Sequence, residues 1–262
     1  MVVLKALVLG IVEGITEFLP ISSTGHLIVF SSVVNYPESS RETFEIFIQL
    51  GAIFAVVWYY AQPLATLVRR AVTDMEARAL LAKVLLAFLP AAAVGFVFHK
   101  SIEEHLFSPL VVAASLIVGG IIILIVERQA LRFQVSDIES MGWRHALWVG
   151  AAQVLSMIPG VSRAGATIIG GMLCGMNRPS ATQFSFYLSL PTMFAASLYS
   201  LFKARHVLAA SDALPLAVGF VAAFVSALLV VRAFITFVQR HDFTGFGYYR
   251  IAVGLVIVLL FH

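Results

Sequence analysis

One cysteine, Cys174, stands among 262 residues, so no intrachain disulfide framework exists and redox compartment cannot be read from cysteine usage. Charge is equally scarce: only 12% of residues are Asp, Glu, Lys or Arg, against about 25% in ordinary soluble domains. With 60% hydrophobic residues and a mean hydropathy of +0.96, that scarcity excludes a soluble globular domain and predicts an all-α polytopic membrane protein. The pI near 9.2 does not point to nucleic acid, because the basic residues are scattered through short connections between apolar runs. A cleavable leader is not expected either. Lys5 is the only early positive charge, Glu13 and Glu17 interrupt the apolar region, and no small-residue cleavage site follows.

Apolar runs of about 20 residues cross roughly 30 Å of hydrocarbon. Six are predicted: Phe44–Tyr60, Leu80–Phe98, Pro109–Val126, Phe184–Phe202, Leu214–Val231 and a short Tyr249–Phe261. Two other regions differ in kind. Val2–Leu19 and Leu27–Val34 flank a polar turn at Pro20–Gly25, and His145–Ile158 and Ala166–Cys174 flank a second at Pro159–Gly165. Non-helical backbone at membrane depth is tolerated only inside protein or against a cavity, so both read as re-entrant helical hairpins.

The chain reads as one integral membrane domain, 1–262, with internal repeats at about 1–126 and 141–262. At an offset of 140, Phe44, Leu50, Phe54, Ala55 and Tyr59 fall on Phe184, Leu190, Phe194, Ala195 and Tyr199, Gly10 falls on Gly150, and Glu13 falls on Gln153. One residue of slippage sets Pro20, Ser23 and Thr24 against Pro159, Ser162 and Arg163. An odd number of crossings between copies predicts an inverted-topology repeat with its site near the midplane. Eleven Lys or Arg, Arg250 among them, fall on one side and five on the other, which the positive-inside rule makes cytoplasmic and external respectively.

The candidate chemistry sits in the two turns. In GIVEGITEFLPISSTGH, Glu13 and Glu17 are one helical turn apart on one face. An acidic residue at membrane depth costs roughly 2.5 to 3.5 kcal/mol on insertion scales, so the pair requires a cation, a proton or a water-filled cavity. Ser22, Ser23, Thr24, Gly25 and His26 follow. In PGVSRAGAT, Arg163 is the only basic residue expected within the membrane, with Ser162 and Thr167 beside it. Carboxylates, a guanidinium, hydroxyls and helix N-termini together suit a metal-bound phosphate. Each also has a plainer role. The serines and threonines can cap helices, Arg163 can neutralise a glutamate, His26 can be a satisfied core histidine, Gly10 with Gly14 can serve helix packing, and Gln49 can bridge helices.

These same segments, EGITEFLPISSTGH and PGVSRAGAT, with FIQLGAI as a third, resemble the bacitracin-resistance type undecaprenyl-diphosphate phosphatases over essentially the full chain. The resemblance implies an inner-membrane hydrolase that removes the terminal phosphate of undecaprenyl diphosphate and so renews the lipid carrier of peptidoglycan; the charge counts place its site open to the periplasmic side. It implies a divalent cation, Mg2+ or Ca2+, and tolerance of bacitracin. It places Glu13 and Glu17 as the acidic, metal-binding pair. Glu17, Ser23, His26 and Arg163 become catalytic, and Ser22, Thr24, Gly25, Ser162, Arg163 and Thr167 become substrate-binding. Ser23 activated by His26 is the favoured attacking group, with water activated by His26 or a carboxylate as the other.

A polyprenyl-phosphate flippase or anion transporter shares the architecture of inverted repeats with broken helices, so it stands as the rival class. The membrane acid-phosphatase type, suggested by SSTGH, is rejected: Gly171 occupies the position of its required Lys before Arg178-Pro179, and no His-x-x-x-Asp follows. Expected partners are the lipid substrate and membrane lipids, with no nucleic acid. Oligomeric state is open, a homodimer included.

Overall fold

A computed structural model describes residues 1–204 and 213–261. Arg205, one of the five charges assigned to the external side, lies outside the described residues. The described residues are predominantly helical, with one isolated β-bridge between Val135 and Met176. The helices are α1 (Val2–Thr16), α2 (Ser23–Val34), α3 (Glu38–Tyr59), α4 (Ala61–Arg70), α5 (Met75–Leu106), α6 (Pro109–Arg128), α7 (Trp143–Val154), α8 (Arg163–Leu173), α9 (Arg178–Ala204), α10 (Ala213–Val238) and α11 (Thr244–Phe261), with a 3-10 turn at Leu155–Met157 after α7.

Among the described residues four helices are long and apolar enough to cross a membrane: Met75–Phe98 within α5, then α6, α10 and α11. A fifth crossing is formed if α3 and α4, bent by 66°, count as one broken span. This is a multi-pass membrane protein, but the six expected spans are not all of one kind. The exception is α9. It is 27 residues long, yet Ser180, Thr182, Ser185, Ser189 and Ser197 make its buried face polar and lower its hydropathy. The connection expected from Tyr60 to Leu80 contains α4, whose Leu67 is buried and whose Arg69 and Arg70 stand at its end. Arg70 forks between Asp74 and Glu139 at 2.5 and 2.8 Å, tying α4 to the loop before α7. Those hydrogen bonds hold the Asp74 carboxyl below its ordinary range.

Both short hairpins form, α1 with α2 and α7 with α8. Each second arm starts at a serine with positive φ, Ser22 at 69° and Ser162 at 74°, and each ends in a left-handed residue, Asn35 at 51° and Gly175 at 100°. The closing bonds match too: Tyr36 N–H donates to the Ser31 carbonyl and Met176 N–H to that of Gly171, both at 3.0 Å, the pattern of a Schellman stop. Every one of these pairs is 140 residues apart. The register is therefore unslipped, which corrects the one-residue slip expected at the turns: Ser22 matches Ser162, and Ser23 matches Arg163.

The arms pack by close backbone approach. α1 crosses α10, where a Cβ on Gly10 would stand 2.3 Å from the Gly219 carbonyl oxygen. α7 crosses α5, where a Cβ on Gly150 would stand 2.5 Å from that of Ala87. α3 and α9 lie between these pairs, with Phe54 and Phe194 edge to face at 5.6 Å, and α6 pairs with α11. The plainer reading of Gly10 and Gly14 holds, and so does that of Gln49, which accepts from Ser197 on α9 at 3.2 Å.

A side chain at Gly14 would collide with Ser226 and the Ala223 carbonyl, whereas Gly245 has open space around it. Gly14→Val should destabilise the folded protein by about 1 to 3 kcal/mol or more through overpacking, and Gly245→Ala should be near neutral. Unfolding of the two variants in detergent checks this.

Candidate active site

Membrane-depth turns leave backbone groups without water, so the first question is where their hydrogen bonds go. At the head of each second arm the N-cap hydroxyl accepts from the amide three residues on: Ser22 Oγ from Gly25 N at 3.4 Å, Ser162 Oγ from Gly165 N at 3.1 Å. Ser162 also donates to the Leu19 carbonyl across the site at 3.4 Å. These two serines are caps. The next residue in each copy, Ser23 and Arg163, is thereby held at the first helical position, free to point at the end of α1.

There the expected groups converge. Ser23 Oγ donates to Glu17 Oε2 at 2.6 Å, and Arg163 Nη2 lies 3.3 Å from Glu17 Oε1. The rest of the Arg163 fork is held by α9, Nη1 donating to the Ser185 carbonyl at 3.3 Å and Nη2 contacting Met193 Sδ at 3.0 Å, while the Phe18 ring lies 5.4 Å beneath it. Glu13 is 2% and Glu17 8% exposed. Two polar atoms here have no protein partner, Glu13 Oε2 and Arg163 Nε. Buried polar atoms without partners are uncommon in a resting core, and one on each of these two residues marks capacity for a ligand. The pair Glu17–Arg163 is the neutralising contact foreseen for the guanidinium; a second carboxylate, Glu13, remains uncompensated.

Other expected residues have different duties. His26 does not reach Ser23. Its Nδ1 lies 2.7 Å from the Ser22 carbonyl, which can only accept, and its Nε2 is 2.8 Å from the Tyr249 hydroxyl, whose ring stacks on the imidazole. With both nitrogens engaged, the expected Ser23–His26 pair is replaced by Ser23–Glu17. Thr167 Oγ1 donates to the Arg163 carbonyl at 2.8 Å and shares a 2.6 Å hydrogen bond with Ser185, pinning α8 to α9 and leaving little for a substrate. Gly25 packs on α6, where a Cβ would meet Leu116 at 2.9 Å. Thr24 is half-buried at the second position of α2.

The largest correction concerns Arg250, counted above as a cytoplasmic connection charge. It is 1% exposed and sits within α11, so Arg163 is not the only buried guanidinium, and the charge balance becomes ten against five. Arg250 donates to the carbonyls of Pro20 (3.0 Å), Gly160 (3.0 Å), Val161 (2.9 Å), Ser115 (3.2 Å) and Leu116 (3.4 Å). It thus binds both turns to α6. Gly160, with φ +93°, lies against α6, where a Cβ would stand 2.5 Å from the Val112 carbonyl oxygen. A sequence signal for Arg250 existed in Gly119-Gly120, which strip α6 of side chains where the guanidinium lies.

A family model described as Bacitracin resistance protein BacA matches residues 6–256. The chain belongs to this family. Among curated relatives, an undecaprenyl-diphosphatase of Nitrosospira multiformis is 50% identical over 256 residues, 98% of this chain and 94% of that protein. Undecaprenyl-diphosphatase 2 of Rhodospirillum rubrum is 50% identical over 97% and 93%, and the undecaprenyl-diphosphatase of Nitrosomonas europaea 48% over 99% and 94%. The family match covers both hairpins, so the residues gathered here lie inside it.

The three serines can be weighed by stability. Ser22→Ala and Ser162→Ala should each cost about 1 kcal/mol, and Ser23→Ala, which leaves the buried Glu17 Oε2 without its hydroxyl donor, about 1 to 3 kcal/mol. Detergent unfolding curves for the three decide it.

Proposed function

We propose that this chain is an undecaprenyl-diphosphatase, hydrolysing undecaprenyl diphosphate to undecaprenyl phosphate and inorganic phosphate. The observation that carries the reading is Ser23 Oγ held 2.6 Å from Glu17 Oε2 beside Arg163, in a chain half identical to proteins named for that activity. The product is the lipid carrier of peptidoglycan and other envelope polymers, and consuming the diphosphate removes what bacitracin sequesters. The polyprenyl tail needs no enclosed pocket, since it can stay in lipid while the diphosphate reaches the turns.

The residues support an ordered route. Ser23 Oγ attacks the terminal phosphorus while its proton passes to Glu17 Oε2. The bond from that phosphorus to the bridging oxygen breaks, and undecaprenyl phosphate leaves. Arg163, whose Nε has no protein partner, donates to the equatorial oxygens as their charge grows. Glu17 gives the serine proton up to the departing undecaprenyl phosphate. It then takes a proton from the water that attacks the phosphoserine, and returns it to Ser23 Oγ as the Oγ–phosphorus bond breaks and inorganic phosphate departs.

Two carboxylates facing one guanidinium leave a formal charge of −1 before an anionic substrate arrives, so a divalent cation, magnesium or calcium, fits the site electrostatically. Glu13 Oε2 is the open oxygen donor, while Glu17 divides its oxygens between Ser23 and Arg163. Among the described residues no group of three or more His, Cys, Asp or Glu could hold a metal. The remaining ligands would be diphosphate oxygens and water, an arrangement hard cations accept. When bound, such a cation offsets phosphate charge and polarises the phosphoryl group.

The matched caps, stops and glycine crossings 140 residues apart support an inverted repeat whose halves meet at this site. Charge supports its orientation: Arg69, Arg70, Arg78 and Arg178 lie with the loop before α7 at the cytoplasmic end, and Lys5 and Lys100 at the other. The site is then reached from the periplasmic face of the inner membrane.

Purified protein should release phosphate from undecaprenyl diphosphate with magnesium and not with chelator. Glu17→Ala, Ser23→Ala and Arg163→Ala should each lose about 10²-fold or more, and Glu13→Ala should raise the magnesium requirement. Lipid movement without phosphate release by folded wild type would favour a flippase instead. In a Cys174→Ser background, Lys100→Cys should be labelled from outside intact cells and Arg69→Cys only after permeabilisation.

A further inference from the structure

Arginine has five N–H groups. At Arg250 each has a carbonyl within reach: Nε on Leu116, Nη1 on Pro20 and Val161, Nη2 on Ser115 and Gly160. No N–H is left for a phosphate. At Arg163, by contrast, Nε has no partner at all. The two buried guanidinium groups of this protein therefore do different work.

We propose that Arg250 is a positioning residue for the hydrolysis proposed above, on which this role rests: it fixes the distance between the Ser23–Glu17 pair and Arg163 without touching substrate. Pro20 lies three residues before Ser23, and Gly160 and Val161 lie three and two before Arg163. Each reactive side chain is at the first position of a short helix, so a shift of its preceding turn carries it bodily. Among the described residues, the direct hydrogen bonds from the second turn to the first are Arg163 to Glu17, at 3.3 Å, and Ser162 to Leu19, at 3.4 Å. Both are long. Arg250 is the shorter link, with bonds of 3.0 Å or less to either turn, and α6 is its rigid support. Misplacement by about 1 Å can cost about 10²-fold in rate, which is the scale at stake.

The support can be disturbed from outside the site. Gly119 faces the guanidinium on α6, and a Cβ there would stand 2.2 Å from Arg250 Nη2. Gly119→Ala must displace the fork while leaving Glu13, Glu17, Ser23 and Arg163 unaltered. Arg250→Lys keeps the charge but gathers its three donors on one nitrogen, which cannot span two turns and a helix.

The test is steady-state hydrolysis of undecaprenyl diphosphate by wild type, Arg250→Lys and Gly119→Ala, each checked for folding by size-exclusion profile and unfolding curve. Positioning predicts that kcat falls about tenfold to a hundredfold in both variants while KM stays within about threefold, since only transition-state alignment is lost. A KM raised more than tenfold at unchanged kcat would overturn it in favour of direct phosphate binding. Full activity of both folded variants would overturn it outright. Should Arg250→Lys not fold, Gly119→Ala carries the test, and failure of both to fold would reduce Arg250 to a structural residue. Inert wild type would refute the hydrolase reading and this role with it, whereas active wild type beside unchanged variants would refute the role alone.

Discussion

Carbonyl oxygens at membrane depth have no water to turn to, and two stretches of irregular backbone meet here in the same place. Their carbonyls are satisfied by one side chain that enters from α11, and the rest of the centre depends on that contact. Because Arg250 draws Pro20, Gly160 and Val161 onto α6, the helices that follow start close together. Because those helices are capped by Ser22 and Ser162, the residues after the caps project toward the end of α1. A buried cation with only carbonyl partners is expensive to bury alone. Here its cost is offset by the unpaired carbonyls it relieves, so each would be worse without the other.

The proposed reacting centre is built from unequal halves. One hairpin gives two carboxylates and a hydroxyl, the other a guanidinium, which α9 steadies through Ser185 and Met193 while the Phe18 ring of the first hairpin lies beneath it. Glu17 is the hinge of this arrangement, one oxygen toward Ser23 and the other toward Arg163. Tyr249, adjacent to Arg250, fixes His26 and through it the Ser22 carbonyl, so the second turn of α11 holds the first hairpin at two points.

Much of this was legible in the chain. Polar, Pro- and Gly-containing breaks inside apolar runs announce broken helical hairpins whatever their partners, and the glutamate pair with Arg163 could have no lipid-facing explanation. What the residues could not reveal was who satisfies whom. Arg250 reads as one more basic residue beside a span, because sequence offers no view of the carbonyls it meets 134 and 230 positions away. His26 beside Ser23 reads as a base beside a nucleophile, until Tyr249 closes one nitrogen and Ser22 the other. The slipped register arose from matching the two serines that look alike, Ser23 and Ser162, when backbone conformation pairs Ser22 with Ser162. The span expected over Phe184–Phe202 lies within α9, whose inward serines keep it outside the strictly apolar helices.

The unslipped register has a consequence for how such a centre can be assembled. On the inverted repeat proposed above, Ser23 and Arg163 occupy the same seat in its two copies, so each copy has given up what the other supplies. Two first halves brought together would crowd four carboxylates and two hydroxyls around no guanidinium, and two second halves would oppose a pair of guanidinium groups with nothing to hold them. Only a mixed pair is chemically complete. Joining the halves in a single polypeptide guarantees that mixture at every centre, and it leaves neither half able to stand in for the other.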